Sequence, residues 1–154
     1  MTSEAERILQ DAGSILVVDW PSREVPEALA RAGYSVVVKG GPDPDNYQAQ
    51  ELRDGAVVPR RLGRRPDHAD IVYSYRGLGE LPGVVQLAKE VGAGTVWCQS
   101  GLSGDGVKDP RGVWVPVEES REARAIVESA GLRYVDDTYI AGVARPRGQR
   151  RDFE

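Results

Sequence analysis

Residues Glu24 to Lys39 read EVPEALARAGYSVVVK, and the fold follows from how this stretch is read. Val25, Ala28, Leu29 and Ala32 fall at i, i+3, i+4 and i+7, which places them on one face of a helix. Gly33 follows, where helices commonly end in a left-handed residue. Tyr34 to Val38 then read as a buried strand. The unit is a helix, a glycine and a β-branched run.

The same unit recurs twice. From Glu80 to Cys98, Leu81, Val84, Val85, Ala88 and Val91 form the stripe, Gly92 the cap and Thr95-Val96-Trp97 the strand. From Glu119 to Val135, Ala123, Ile126, Val127 and Ala130 form the stripe, Gly131 the cap and Leu132 to Val135 the strand. Two further strands precede helices, Ile15 to Val18 and Ile71 to Tyr75. The first is continuously apolar, as expected of a parallel strand covered on both faces. Five strands alternating with helices predict an α/β fold: a Rossmann-like, doubly wound, mostly parallel five-stranded sheet with helices on both faces. Crossovers are expected to be right-handed.

Two segments depart from the repeat. Gly40 to Asp70 is polar and rich in Pro and Arg, with a short helix expected near Tyr47 to Leu52 and an extended piece at Val57-Val58. Gly101 to Gly112 is a Gly/Asp-rich loop. Both follow strands, so both are expected at the carboxyl ends, where loops carry function. Residues 1–145 are read as one domain, and the basic stretch 146–154 as a disordered tail.

Composition narrows the function classes. The chain has 154 residues and a net charge of −4, which disfavours nucleic acid as a partner. No run of about 18 apolar residues predicts a membrane span. The N-terminal stretch is polar and acidic, unlike a signal peptide. Cys98 is the single cysteine, which excludes an internal disulfide and suits a reducing cytoplasm.

In an open parallel sheet, ligands bind beyond the carboxyl ends of the strands. The first strand exits through Asp19-Trp20-Pro21-Ser22-Arg23. Ser22 is expected to cap the next helix, whose free N–H groups could hold a phosphate, with Arg23 adding a fork of donors. Pro26 falls where a missing N–H is tolerated. Trp20 and Pro21 stand where a dinucleotide site would carry small residues, which counts against ordinary NAD binding. Lys39, followed by Gly40, suits an extra phosphate on a ribose, as in NADP or coenzyme A. Tyr75 and Arg76 could stack on adenine or meet a phosphate. Gln99 offers donor and acceptor to an amide-rich arm.

The chain resembles the small CoA-binding proteins related to the CoA-binding domain of the succinyl-CoA synthetase alpha subunit. The resemblance runs from Ser14 to Arg145. It rests on Asp70-Ile71-Val72 with Tyr75-Arg76, on Leu81-Pro82, on Thr95-Val96-Trp97-Cys98-Gln99-Ser100-Gly101, and on Ala130-Gly131-Leu132 leading to Val135-Asp136-Asp137. It implies a Rossmann-like sheet that binds coenzyme A or acyl-CoA across the strand ends. The implied ligand-lining positions are Ser22 and Arg23, Lys39 and Gly40, Tyr75 and Arg76, and Gln99 and Gly101, with Trp20 at the entrance. The chain departs from the family's usual Gly-x-Ser in its first loop, from Pro-x-Asn-Pro after its second strand and from Asp-Arg-Cys-Pro after its fifth. Ser103 to Arg111 looks inserted.

No catalytic residue and no metal site are expected. His68 lies at the end away from the strand exits. Cys98 has no base placed near it and reads as a small core residue. Asp136 and Asp137 alternate across a strand and are not expected to serve one acid–base pair, although one of them could receive a ligand hydrogen bond or a metal. The synthetase's phosphohistidine loop belongs to another domain, so the resemblance does not transfer its ligase activity. The expected function is a CoA or acyl-CoA binding module. An NADP-binding oxidoreductase is the alternative, and a ligand-less protein-interaction domain the third reading. A protein partner or homo-oligomer is left open.

Overall fold

The computed structural model describes residues 4–18, 23–40, 46–74, 80–98, 117–136 and 140. The elements in chain order are α1 (Glu4–Asp11), β1 (Ser14–Val18), α2 (Glu24–Arg31), β2 (Ser35–Lys39), β3 (Tyr47–Arg53), β4 (Ala56–Arg61), β5 (Ile71–Ser74), α3 (Leu81–Glu90), β6 (Thr95–Cys98), α4 (Val117–Ser129) and β7 (Arg133–Asp136). The strands form one sheet in the order β4-β3-β2-β1-β5-β6-β7. β2, β1, β5, β6 and β7 pair in parallel and are the five strands expected from the repeat. The sheet has seven strands rather than five, because β3 and β4 add an antiparallel hairpin beside β2.

The hairpin replaces the helix expected at Tyr47 to Leu52. Ala, Gln, Glu and Leu favour helices locally, but propensity yields to tertiary pairing. Here β3 pairs along β2 from Val36↔Gln50 to Lys39↔Tyr47. The turn is Asp54-Gly55, with φ of 51° and 82°. Two successive left-handed residues make the tight turn whose twist matches paired strands, and Asp-Gly is its usual sequence. Val57-Val58 is extended, as expected, within β4.

Two core layers flank the sheet. Ile15, Val17, Val36, Tyr73 and Trp97 face α1 and α2, together with Ala5, Leu9, Val25 and Leu29. Leu16, Val18, Val72 and Val96 face α3 and α4, together with Val84, Val85, Ala88, Ala123 and Val127. The alternation along each strand sorts these residues. Helices therefore cover both faces, the doubly wound arrangement. The cap glycines Gly33, Gly92 and Gly131 all have positive φ, as the repeat predicted. The helix α1 was not anticipated. Its Ala5, Ile8 and Leu9 are buried, and the Tyr34 hydroxyl donates to the Leu9 carbonyl at 3.0 Å.

Helix α2 is tied to the hairpin at both ends. Arg23 Nη2 donates to Gln50 Oε1 at 3.0 Å and to the Val57 carbonyl at 3.3 Å. Arg31 Nη1 donates to the Gly55 carbonyl at 2.9 Å. The edge strand β4 is thereby blunted: Arg23 occupies a carbonyl of Val57, and Pro59 has no N–H to offer another strand. Among the described residues, no helix is long and apolar enough to cross a membrane.

Candidate functional site

The parallel strands end level with one another. Lys39 pairs with Val18, Val18 with Ser74, Ser74 with Cys98, and Cys98 with Asp136. These five residues form one row across the sheet. Directly paired residues share a face, and Val18 and Cys98 pack with the α3/α4 layer, so the row faces that side. From β1 the chain moves to β2 on one side, and from β5 to β6 and β7 on the other. The strand order reverses between β1 and β5, which is where an open α/β sheet forms its ligand crevice.

Lys39 is half-buried at the end of β2. After it, the Gly40 N–H donates to the Asn46 carbonyl at 3.1 Å, and Asn46 Nδ2 donates to the Gly40 carbonyl at 3.0 Å. These two bonds join Gly40 to Asn46 at the end of the β2–β3 ladder. Arg23 stands at the head of α2, where the sequence put it. Its Nε donates to Glu27 Oε1 at 3.1 Å, and its Nη2 is committed to Gln50 and Val57. Gln50 is level with Val36, below the terminal row. The guanidinium thus reaches toward the hairpin, and a phosphate approaching it would share or break those bonds.

The N-cap position of α2 is Arg23, with no side-chain capping bond, not Ser22 as expected. The helix begins one residue later than the cap reading required. Pro26 lies in the first turn, where helical N–H groups have no intrahelical partner. Trp20, Ser22, Tyr75, Arg76, Gln99 and Gly101 lie outside the described residues, as do Asp137, the 101–112 loop and the 146–154 tail. Of the nine expected ligand residues, the structure places Arg23, Lys39 and Gly40. It brings Lys39 and Gly40 together at the terminal row.

The row's other polar members are Ser74, 1 % exposed, and Asp136, which accepts from the Tyr134 hydroxyl at 2.9 Å. Cys98 lies between them. Burial first, and the Asp136 carboxylate second, push its thiol up to about 12. A nucleophilic thiol needs the opposite environment. Cys98 is half-buried and holds little thiolate at pH 8, so we expect a thiol-reactive dye to label it far more slowly in folded protein than in denaturant. Rapid labelling of the folded chain would contradict this burial.

His68 lies at the opposite end of the sheet, as expected, and its Nε2 is 2.8 Å from Asp70 Oδ1. The other oxygen of Asp70 accepts from the Gly13 N–H at 2.7 Å and the Ser14 N–H at 3.1 Å. Desolvation alone would raise this carboxyl. Bonds from Gly13, His68 and Ser14 outweigh it and hold the carboxyl below the ordinary aspartate range. His68 does not touch Ser14 in any of these bonds; the trio joins β1 to β5 rather than forming a catalytic relay. A cavity of about 540 Å³ lies between α1, α4 and β7, lined by Arg7, Asp11, Glu128 and Arg133 among others. Its lining includes the start of β7, away from the terminal row. Among the described residues there is no group of three or more metal-ligating side chains.

Sequence reasoning passed over Asn46 and Gln50. The signal for both was the Asp-Gly turn, which announces a hairpin and places Asn46 where the chain rejoins the sheet beside Gly40.

Comparison with known proteins agrees with this architecture. A protein of Thermus thermophilus matches at a TM-score of 0.55 and 21 % identity, with 96 % of each chain covered. A hypothetical protein from Pyrococcus horikoshii matches at 0.56 and 22 %, covering 93 % of this chain and 89 % of that one. Prb, a protein redesigned for binding, matches at 0.57 and 19 %, covering 98 % and 92 %. At these identities the likeness is one of fold. No curated protein matches the chain in sequence. The family model described as the CoA binding domain matches residues 12–142, which takes in all seven strands. The chain belongs to the CoA binding domain family.

Proposed function

We propose that this protein binds coenzyme A or an acyl-CoA at the carboxyl ends of its parallel strands, as a module without catalysis of its own. The observation that carries the reading is the level row at the strand reversal, with Lys39 and the Gly40 backbone beside the end of β1. Membership of the CoA binding domain family supports it. Lys39 supplies a cation to the ligand's phosphates, and the segments leaving the row provide the rest of the site. In this reading Trp20, Ser22, Tyr75, Arg76, Gln99 and Gly101 line the ligand. Arg23 contributes from the head of α2. The raised Cys98 thiol fits a binding role better than a nucleophilic one.

A thermal-shift series tests it. A ligand bound to the native state alone stabilises by RT ln(1 + [L]/Kd), about 2.7 kcal/mol at one hundred times Kd. Coenzyme A, acetyl-CoA or a long-chain acyl-CoA at millimolar concentration should raise Tm by several degrees. No shift with any of the three would end the proposal. Lys39 also favours a second reading, an NADP-binding oxidoreductase. Enhanced NADPH fluorescence on mixing, without a shift by coenzyme A, would decide for it.

A further inference from the structure

Asn46 makes a contact that neither the repeat nor the family resemblance points to. Its side-chain amide donates to the Gly40 carbonyl at 3.0 Å, while its own carbonyl accepts from the Gly40 N–H at 3.1 Å. The pair extends the β2–β3 ladder one step beyond Lys39↔Tyr47. Without the side-chain bond, a single backbone bond from the Gly40 N–H to the Asn46 carbonyl would hold this last pair, and strand ends fray. With it, the backbone after Lys39 is held on both sides.

We propose that Asn46 is a positioning residue that makes the site prefer a ligand with a phosphate on its adenosine ribose. This rests on the reading of the strand ends as a CoA site. The clasp holds both polar backbone groups of Gly40, the residue that follows Lys39, and so fixes the backbone from which the Lys39 stem springs. A cation whose stem springs from a held backbone loses less freedom when it meets a phosphate, so its charge counts more toward affinity. A ligand lacking that phosphate gains nothing from the clasp.

Titration calorimetry of the full chain with coenzyme A and with dephospho-CoA tests this. The unaltered protein should bind coenzyme A at least roughly tenfold tighter, the scale of one charged hydrogen bond. Asn46→Ala should bring the two dissociation constants within about twofold by weakening coenzyme A alone. Asn46→Leu keeps the side chain's size and neutrality but has no donor for Gly40, and should do the same even if the alanine variant folds poorly. Lys39→Met should also level the two ligands, and Lys39→Met/Asn46→Ala should go no further than Lys39→Met. Equal affinity of the unaltered protein for both ligands overturns the inference and leaves the CoA reading standing. So does equal weakening of both ligands in the two Asn46 variants, since that is what a purely structural role would produce. Absence of binding to either ligand by the unaltered protein removes the CoA reading and this inference with it.

Discussion

Trp97→Ala is expected to destabilise the protein by about 3–5 kcal/mol, the range for truncating a fully buried large aromatic. Trp97 is 0 % exposed and lies in the layer under α1 and α2. Its ring meets that of Tyr73 edge-on, with centroids 6.4 Å apart and planes at 66°. The two residues are paired across β5 and β6. The substitution removes burial and the aromatic pair together, and leaves a cavity between the sheet and helices α1 and α2 that closes only in part. A domain of this size holds about 5–15 kcal/mol in total, so much of its margin would go. Trp97→Phe retains a ring and should cost clearly less. Urea unfolding followed by circular dichroism measures both, and a cost below about 1.5 kcal/mol for the alanine variant would contradict the packing described.

Asp70→Ala should have the next largest effect, about 2 kcal/mol. Hydrogen bonds to a charged group are worth roughly 1.5–3 kcal/mol each. The Asp70 carboxylate makes four, with the Gly13 N–H, the Ser14 N–H, the Ser14 hydroxyl at 3.4 Å and His68 Nε2, but its side chain is 39 % exposed, and solvent screening reduces the sum. The effect has a pH signature. The folded carboxyl is held below its ordinary value, so its stabilising contribution is full above the unfolded value, about 3.9. That contribution is lost as pH falls through the depressed folded value. The stability gap between the two proteins should therefore stay level near neutral pH and narrow in acid below about pH 4. A gap that widened on acidification would show that the carboxylate is not held by these donors.

These two residues divide differently between sequence and structure. Trp97 sits in a short apolar strand after a glycine-capped helix, and its burial is readable from that context. Asp70 looks like any polar residue before a strand. Its value comes from Gly13 and Ser14, 57 and 56 positions away. No local pattern encodes a bond of that separation.

The same line runs through the site. The places of Lys39 and Gly40 at the carboxyl end of β2 were legible because the strand before them was legible. Arg23 was legible as a position but not as a set of partners, because Gln50 and Val57 belong to a hairpin whose first strand reads locally as a helix. The segment Tyr47 to Leu52 is built of good helix formers, and only the Asp54-Gly55 turn opposed that reading. The α1 helix was passed over because polar, acidic residues surround its three buried ones.

By itself the sequence determined the five parallel strands, the caps between helix and strand, and the edge of the sheet where a ligand would lie. All of these depend on the apolar period, or on glycine's access to a left-handed backbone, and both act within a few residues. Only the tertiary structure decided the two antiparallel strands, the tying of α2 to them through Arg23 and Arg31, the clasp of Asn46 on Gly40 and the environment of Cys98. Those depend on which distant groups come into contact. Pairing and burial across the sheet then outweigh local preferences that differ by less than about 1 kcal/mol per residue.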